Sequence, residues 1–262
     1  GGPGWSRQAQ ADLEARAEAT GLPVAVTFRR QDYVDNGHPN YIGDLGVGMN
    51  PRLGERLRAA DALLVLGARL GETATNGYTL IDPAAAGKTI LHVHPDPDEI
   101  ATVYQPADSL AAPAPAFLAA LRGADGRVRD PGWTASARAD YEAWQQPQET
   151  PGAVRLEAVV REISDRYEGR ALYTNGAGNY AAFLHRYARF RGYRTQLAPT
   201  SGSMGYGLPA AIAAKLEHPD RPVICFAGDG CLQMTLQELS TARQHGADIT
   251  VIIANNGRYG TI

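Results

Sequence analysis

Apolar and polar positions alternate along this chain in blocks rather than evenly. Residues 8–20 recur with Ala, Leu and Glu at helical spacing and stop at Gly21, which predicts a helix. Residues 24–28 form a short apolar strand, and 31–49, rich in Gly, Asn, Pro and His, read as a long loop. A helix over 51–60 leads into the apolar run 61–67, a buried strand ending in a glycine turn, and 89–94 form another strand. Residues 115–121 form a short helix whose proline sits in its first turn. The composition shifts over 123–151, where Gly-Ala-Asp-Gly, Asp-Pro-Gly and Gln-Gln-Pro-Gln occur, although 134–144 keep a helical pattern. Beyond it, a helix at 155–167, a strand at 171–174, a helix at 179–189 and a helix at 209–216 follow. The run Val223-Ile224-Cys225-Phe226-Ala227 is continuously apolar and predicts a strand buried on both faces. Leu232, Leu236 and Leu239 then fall at helical spacing, and a last apolar run covers 249–254.

Strands alternating with helices imply parallel sheets. The expected fold class is α/β, with two parallel-sheet domains: a Rossmann-like domain over 1–127, a linker over 128–151 and a second α/β domain over 152–262. The chain opens on Gly-Gly-Pro-Gly and stops a few residues after an Asn pair, so it is expected to be a piece of a longer polypeptide, incomplete at both ends.

The chemistry lies in the last third. Gly228-Asp229-Gly230 turns the chain at the end of one buried strand, and Asn255-Asn256-Gly257 follows the next, with 24 residues between the two motifs. In a parallel sheet both tips lie at the same edge, where ligands of such sheets sit. One carboxylate and one amide oxygen are hard donors that suit Mg²⁺ shared with a phosphate. The glycines let backbone N–H groups approach that phosphate. The plainer readings are an N-capping aspartate and an Asn-Asn-Gly turn. The strand–helix–strand context favours the ligand role for Asp229 and leaves the turn role to Asn255.

This pattern resembles the signature of thiamine-diphosphate-dependent enzymes. Upstream, Thr200-Ser201-Gly202-Ser203-Met204-Gly205-Tyr206-Gly207-Leu208-Pro209-Ala210-Ala211 is similar to the segment of acetolactate synthases and related 2-oxo acid decarboxylases that holds the thiamine pyrimidine. In the front half, Gly67-Ala68-Arg69-Leu70 and His92-Val93-His94-Pro95-Asp96-Pro97 resemble the middle domain of the same family, so the likeness covers nearly the whole chain.

The resemblance implies thiamine diphosphate and Mg²⁺ as cofactors, with Gly202, Ser203, Met204, Gly228, Asp229, Gly230, Cys231, Asn256 and Tyr259 at the cofactor. Asp229, the Asn256 side chain and the Arg258 backbone carbonyl are the implied metal ligands. It places the Gly202 carbonyl on the pyrimidine amine and Met204 as the apolar prop of the bent cofactor; the alternative for Met204 is core packing. The carboxylate that activates the pyrimidine comes, in this family, from another domain of a partner subunit, and no residue here matches its motif. The catalytic residues therefore stay unassigned, and the isolated chain is expected to show no turnover. Arg69 resembles the arginine that contacts FAD in acetolactate synthases, which admits FAD as a further cofactor; a surface salt bridge is the alternative.

The implied reaction is decarboxylation of a 2-oxo acid with carboligation. The alternatives are simple decarboxylation, a glyoxylate carboligase-like reaction or, in another class, an FAD- or ADP-binding module. A homodimer or homotetramer is implied, because the family's site is shared between subunits. Met204, Tyr206 and Leu208 are expected on the surface a partner covers.

Charge narrows the partners. The 25 basic and 28 acidic side chains leave a net charge of −3, which gives no electrostatic case for nucleic acid or an anionic membrane. No apolar run approaches a membrane span. The two cysteines, Cys225 and Cys231, do not form a disulfide framework, which suits a reducing cytoplasm. His38, His92 and His94 lack zinc-site spacing and read as structural or surface residues.

Overall fold

The computed structural model describes residues 1–84, 87–126, 130–150 and 152–257. The chain divides into two compact units, Gly1–Trp144 and Gln145–Ile262.

The first unit runs α1 (Arg7–Thr20), β1 (Val24–Val26), β2 (Tyr41–Asp44), α2 (Pro51–Ala59), β3 (Ala62–Leu66), β4 (Thr89–His94), β5 (Asp108–Ala111), α3 (Ala114–Ala120) and α4 (Pro131–Trp144). Its pairings are all parallel, β1 with β2 and β3-β4-β5 in a second sheet. The Ser6 hydroxyl accepts from the Ala9 amide at 3.1 Å to open α1, and Gly21 closes it with φ of 74°. Asn50 caps α2 in the same way, ahead of Pro51.

Two strands here carry no sequence pattern. β2 lies inside the stretch expected to be a long loop; it is four residues long and includes Gly43, so it shows no β-branched run. β5 reads Asp-Ser-Leu-Ala, a polar edge strand. The stretch expected to be a linker contains α4. Its Ala137 is buried with Ile42, Leu45 and Leu53, and the Arg138 guanidinium donates to the carbonyls of Asn36, His38 and Tyr41 at 2.9, 3.0 and 3.0 Å. These contacts attach the helix to β2 and its approach.

The second unit runs α5 (Leu156–Tyr167), β6 (Leu172–Asn175), α6 (Tyr180–Tyr187), β7 (Gln196–Leu197), α7 (Gly207–Glu217), β8 (Val223–Gly228), α8 (Asp229–Gln233), α9 (Glu238–Gln244) and β9 (Thr250–Ala254). Its four strands are parallel in the order β7-β6-β8-β9. Alternate residues of β8 face opposite cores. Val223, Cys225 and Ala227 pack with Leu208, Ala211 and Ile212 of α7, whereas Ile224 and Phe226 pack with Val160, Leu184 and Phe190. Both faces are covered, so the strand is apolar without interruption; burying Phe226 alone is worth about 1.5–3 kcal/mol.

The single helix expected across Leu232, Leu236 and Leu239 is two helices, broken over 234–237. Leu232 leans on the core, but Leu236 and Leu239 remain 46% and 43% exposed. The Thr235 hydroxyl donates to the Gly205 carbonyl at 3.0 Å and holds the break against the preceding loop. Leu208, expected on a partner-facing surface, is instead 1% exposed in the core of this unit, because it lies on the sheet-facing side of α7.

Candidate functional site

The strand order of the second unit locates its ligand crevice. From β6 the chain moves to one side to make β7, then returns across β6 to make β8, then continues outward to β9. The direction reverses between β6 and β8, which pair from Leu172 with Val223 to Asn175 with Phe226. Ligands of open parallel sheets bind outside the carboxyl ends of the strands at such a point.

Three turns meet there. The first leaves β6 as Gly176-Ala177-Gly178-Asn179 and enters α6 at Tyr180. The second is the loop 202–206 before α7, and the third is Gly228 to Cys231. Gly207 lies so close to the first turn that a Cβ on it would stand 3.1 Å from both the Asn175 carbonyl carbon and the Gly176 nitrogen. The Thr174 hydroxyl, buried beneath, donates to the Gly207 carbonyl at 2.7 Å. The Cys231 thiol donates to the Ala177 carbonyl at 2.8 Å and ties the third turn to the first. Asn175 is fully buried; its amide donates to the Gly176 carbonyl at 2.7 Å, and its Oδ1 faces His185 Nε2 at 3.4 Å.

The residues named from sequence fall as follows. Gly228 ends β8, and Asp229 and Gly230 begin α8, each half-buried. The cap position of α8 is Gly228, and no side chain caps it, so Asp229 does not serve as an N-cap. Gly202 and Ser203 are exposed and Met204 is half-buried. Gly202 has φ of +76°, and a Cβ there would meet nothing within 4 Å, so its glycine answers a backbone conformation and not a crowded space. Gly228 answers crowding: a Cβ on it would sit 3.0 Å from two ring carbons of Tyr180. Cys231 is buried. Gly228 pairs with Ala254, so Asp229 and the Asn pair leave neighbouring strand ends. The Asn255 side chain accepts from the Gly257 amide at 2.9 Å, the turn role, while Asn256 is exposed. Arg258 and Tyr259 lie outside the described residues.

Sequence reasoning missed the first turn and Tyr180. The signal was present as Gly-X-Gly directly after a strand. Burial raises the Tyr180 hydroxyl pKa well above the ordinary phenol value, and the Cys231 thiol beside it adds to that rise. Burial likewise pushes the Cys225 thiol up to about 11, so this cysteine stays a neutral thiol within the core.

Among the described residues no group of three or more His, Cys, Asp or Glu is placed to hold a metal. A cation at this edge would therefore rest on the Asp229 carboxylate, amide oxygen and oxygens from a ligand, a set that fits Mg²⁺ shared with a phosphate.

The first unit's strand tips differ. His92 and His94 are buried, His92 Nε2 lies 2.8 Å from the Ala68 carbonyl, and the Asp96 amide reaches His94 Nδ1 at 3.2 Å. Burial lowers the His92 pKa. Arg69 forms an ion pair with Glu99, the surface salt bridge of the alternative reading. No helix among the described residues is long and apolar enough to cross a membrane.

Two stretches of the chain match known protein families. Residues 1–121 match the family described as thiamine pyrophosphate enzyme, central domain, and residues 176–262 match thiamine pyrophosphate enzyme, C-terminal TPP binding domain. An acetolactate synthase large subunit of Corynebacterium glutamicum is 30% identical over 270 residues, which cover 100% of this chain and 43% of that protein. An acetolactate synthase of Mycobacterium avium is 29% identical over 265 residues, covering 97% of this chain and 42% of that protein. A sulfoacetaldehyde acetyltransferase of Alcaligenes xylosoxydans xylosoxydans is 29% identical over 276 residues, covering 93% and 46%. The chain thus spans less than half the length of these relatives. It belongs to the thiamine pyrophosphate enzyme family, of which it carries the central domain and the C-terminal TPP-binding domain.

Proposed function

We propose that this chain is the diphosphate-holding part of a thiamine-diphosphate- and Mg²⁺-dependent enzyme that decarboxylates a 2-oxo acid such as pyruvate and joins the product to a second carbonyl compound. The observation that carries the reading is the Gly228-Asp229-Gly230 turn at the point of reversal, one strand from the Asn pair and locked to a second glycine turn. Thiamine diphosphate, when bound, supplies an electron sink for the bond that breaks. The chain's own residues bind and orient. Asp229 and Asn256 would hold Mg²⁺ together with the diphosphate, with the Arg258 carbonyl as a further donor. The Gly202 carbonyl would accept from the pyrimidine amine, and Met204 would serve as an apolar prop for the cofactor.

The family likeness also supports a homodimer or homotetramer. Tyr206, Met234 and Leu236, exposed around the 202–207 loop and the α8–α9 break, are apolar surface of the kind a partner covers.

The test is titration of the full-length protein with thiamine diphosphate in the presence and absence of Mg²⁺, followed by an assay of pyruvate consumption. Saturable, Mg²⁺-dependent binding with 2-oxo acid turnover is expected. Binding of FAD or ADP with no affinity for thiamine diphosphate would falsify the reading.

A further inference from the structure

Tyr180 stands between the two glycine turns of the crevice and touches both. The Gly176 amide donates to its phenol oxygen at 3.0 Å. Its ring edge occupies the space next to Gly178 and Gly228, where added Cβ atoms would approach to 2.9 and 3.0 Å. The Cys231 sulfur lies on the same side of the first turn as the phenol oxygen, and its thiol donates to the Ala177 carbonyl at 2.8 Å. A Cβ at Gly176 would be 3.0 Å from the Cys231 sulfur and 3.1 Å from the Tyr180 oxygen. These contacts link the β6 turn, the Tyr180 side chain and the start of α8 with no slack between them.

We infer that Tyr180 is a positioning residue that sets the spacing between the 176–178 turn and the Gly228-Asp229-Gly230 turn, and so the width of the opening that receives a diphosphate. This rests on the thiamine-diphosphate reading of the site. Tyr180 would not touch the cofactor. It acts through the backbone of Gly176 and Gly228, whose placement decides whether amides and the Asp229 carboxylate converge on one phosphate group. A phenol suits the place because the ring fills the gap while the oxygen satisfies a buried amide.

Tyr180→Phe in the full-length protein tests it, because the ring is kept and only the oxygen is lost. Dissociation constants for thiamine diphosphate, and for inorganic pyrophosphate, are measured calorimetrically with Mg²⁺ present. Both should weaken by a similar factor, on the order of tenfold. The deficit should appear in the cofactor concentration needed for half-maximal activity and not in the rate at saturation. A purely structural role would lower the melting temperature and leave both affinities within about twofold of wild type; that result overturns the inference. If Tyr180→Phe does not fold, Cys231→Ala, which cuts the tie to Ala177, should weaken pyrophosphate binding, with Cys231→Ser recovering part of it; equal affinities for all three proteins count against the inference. A wild type that does not bind thiamine diphosphate overturns the functional reading and this inference together, whereas a wild type and a Tyr180→Phe variant that bind equally well overturn this inference alone.

Discussion

The two units are built alike and end differently. Each carries an all-parallel sheet, β3-β4-β5 in the first and β7-β6-β8-β9 in the second, with its strand tips at one edge. In the first, the polar groups at those tips satisfy one another: His92 meets the Ala68 carbonyl, His94 meets the backbone of Asp96, and Arg69 meets Glu99. In the second, the tips are glycine turns, and the Asp229 side chain makes no hydrogen bond or ion pair among the described residues. Architecture alone therefore does not mark a site. What marks it is a strand end whose polar atoms have been left for something else.

The sharpest test of that contrast is Asp229→Ala. Removing this carboxylate from the open edge should weaken Mg²⁺-dependent thiamine-diphosphate binding by roughly a hundredfold or more, read by calorimetry on the full-length protein; unchanged affinity removes Asp229 from the ligand set. Next comes Gly228→Ala. Its Cβ would press on the Tyr180 ring at 3.0 Å, so urea unfolding should show a loss of about 1–3 kcal/mol, together with weaker cofactor binding. A stable variant with full affinity would mean that the ring moves freely.

On the closed side, His92→Ala takes the ring from the Ala68 carbonyl and from its edge-on neighbour His94. Stability should fall by about 1–3 kcal/mol, with cofactor affinity unchanged. A drop in affinity would show that the first unit's tips are not self-contained.

The smallest effect concerns Asp44, at the end of β2. Burial pushes its carboxyl up to about 7 from 3.8, against the opposing effect of the Gln31 amide, which donates to it at 2.9 Å. Between those two values the folded chain retains a proton that the unfolded chain has released, so stability falls as pH rises through that window and is level above it. Asp44→Asn should gain on wild type across the same window, as seen in melting temperatures from pH 4 to 8; a difference independent of pH would place the charge elsewhere.

How much of this was legible in the sequence depended on what each residue answers to. β8 was readable because hydrophobic burial on both faces writes an unbroken apolar run. β2 and β5 were not, because four-residue strands with a glycine or polar residues owe their pairing to neighbours distant in sequence. The helix break over 234–237 escaped for a similar reason: leucine spacing announced one helix, while the tie from Thr235 to Gly205 spans 30 residues. At the site, Gly228 and Asp229 were identified from their motif, yet the reason for Gly228 was not. Its neighbour is Tyr180, 48 positions earlier by sequence number, and only the fold sets the ring against it.

The strand order β7-β6-β8-β9 also governs how the site comes into being. β6 is synthesised early but finds its second flank only when β8 arrives, and the bond from Cys231 to Ala177 closes a separation of 54 residues. Contacts of that range form late, because the chain loses much conformational freedom before they reward it. The crevice therefore does not exist in any partly folded form that lacks β8. A ligand that fits it selects the completed sheet and stabilises it by mass action; on the proposed function, cofactor supply would set how long the folded protein persists.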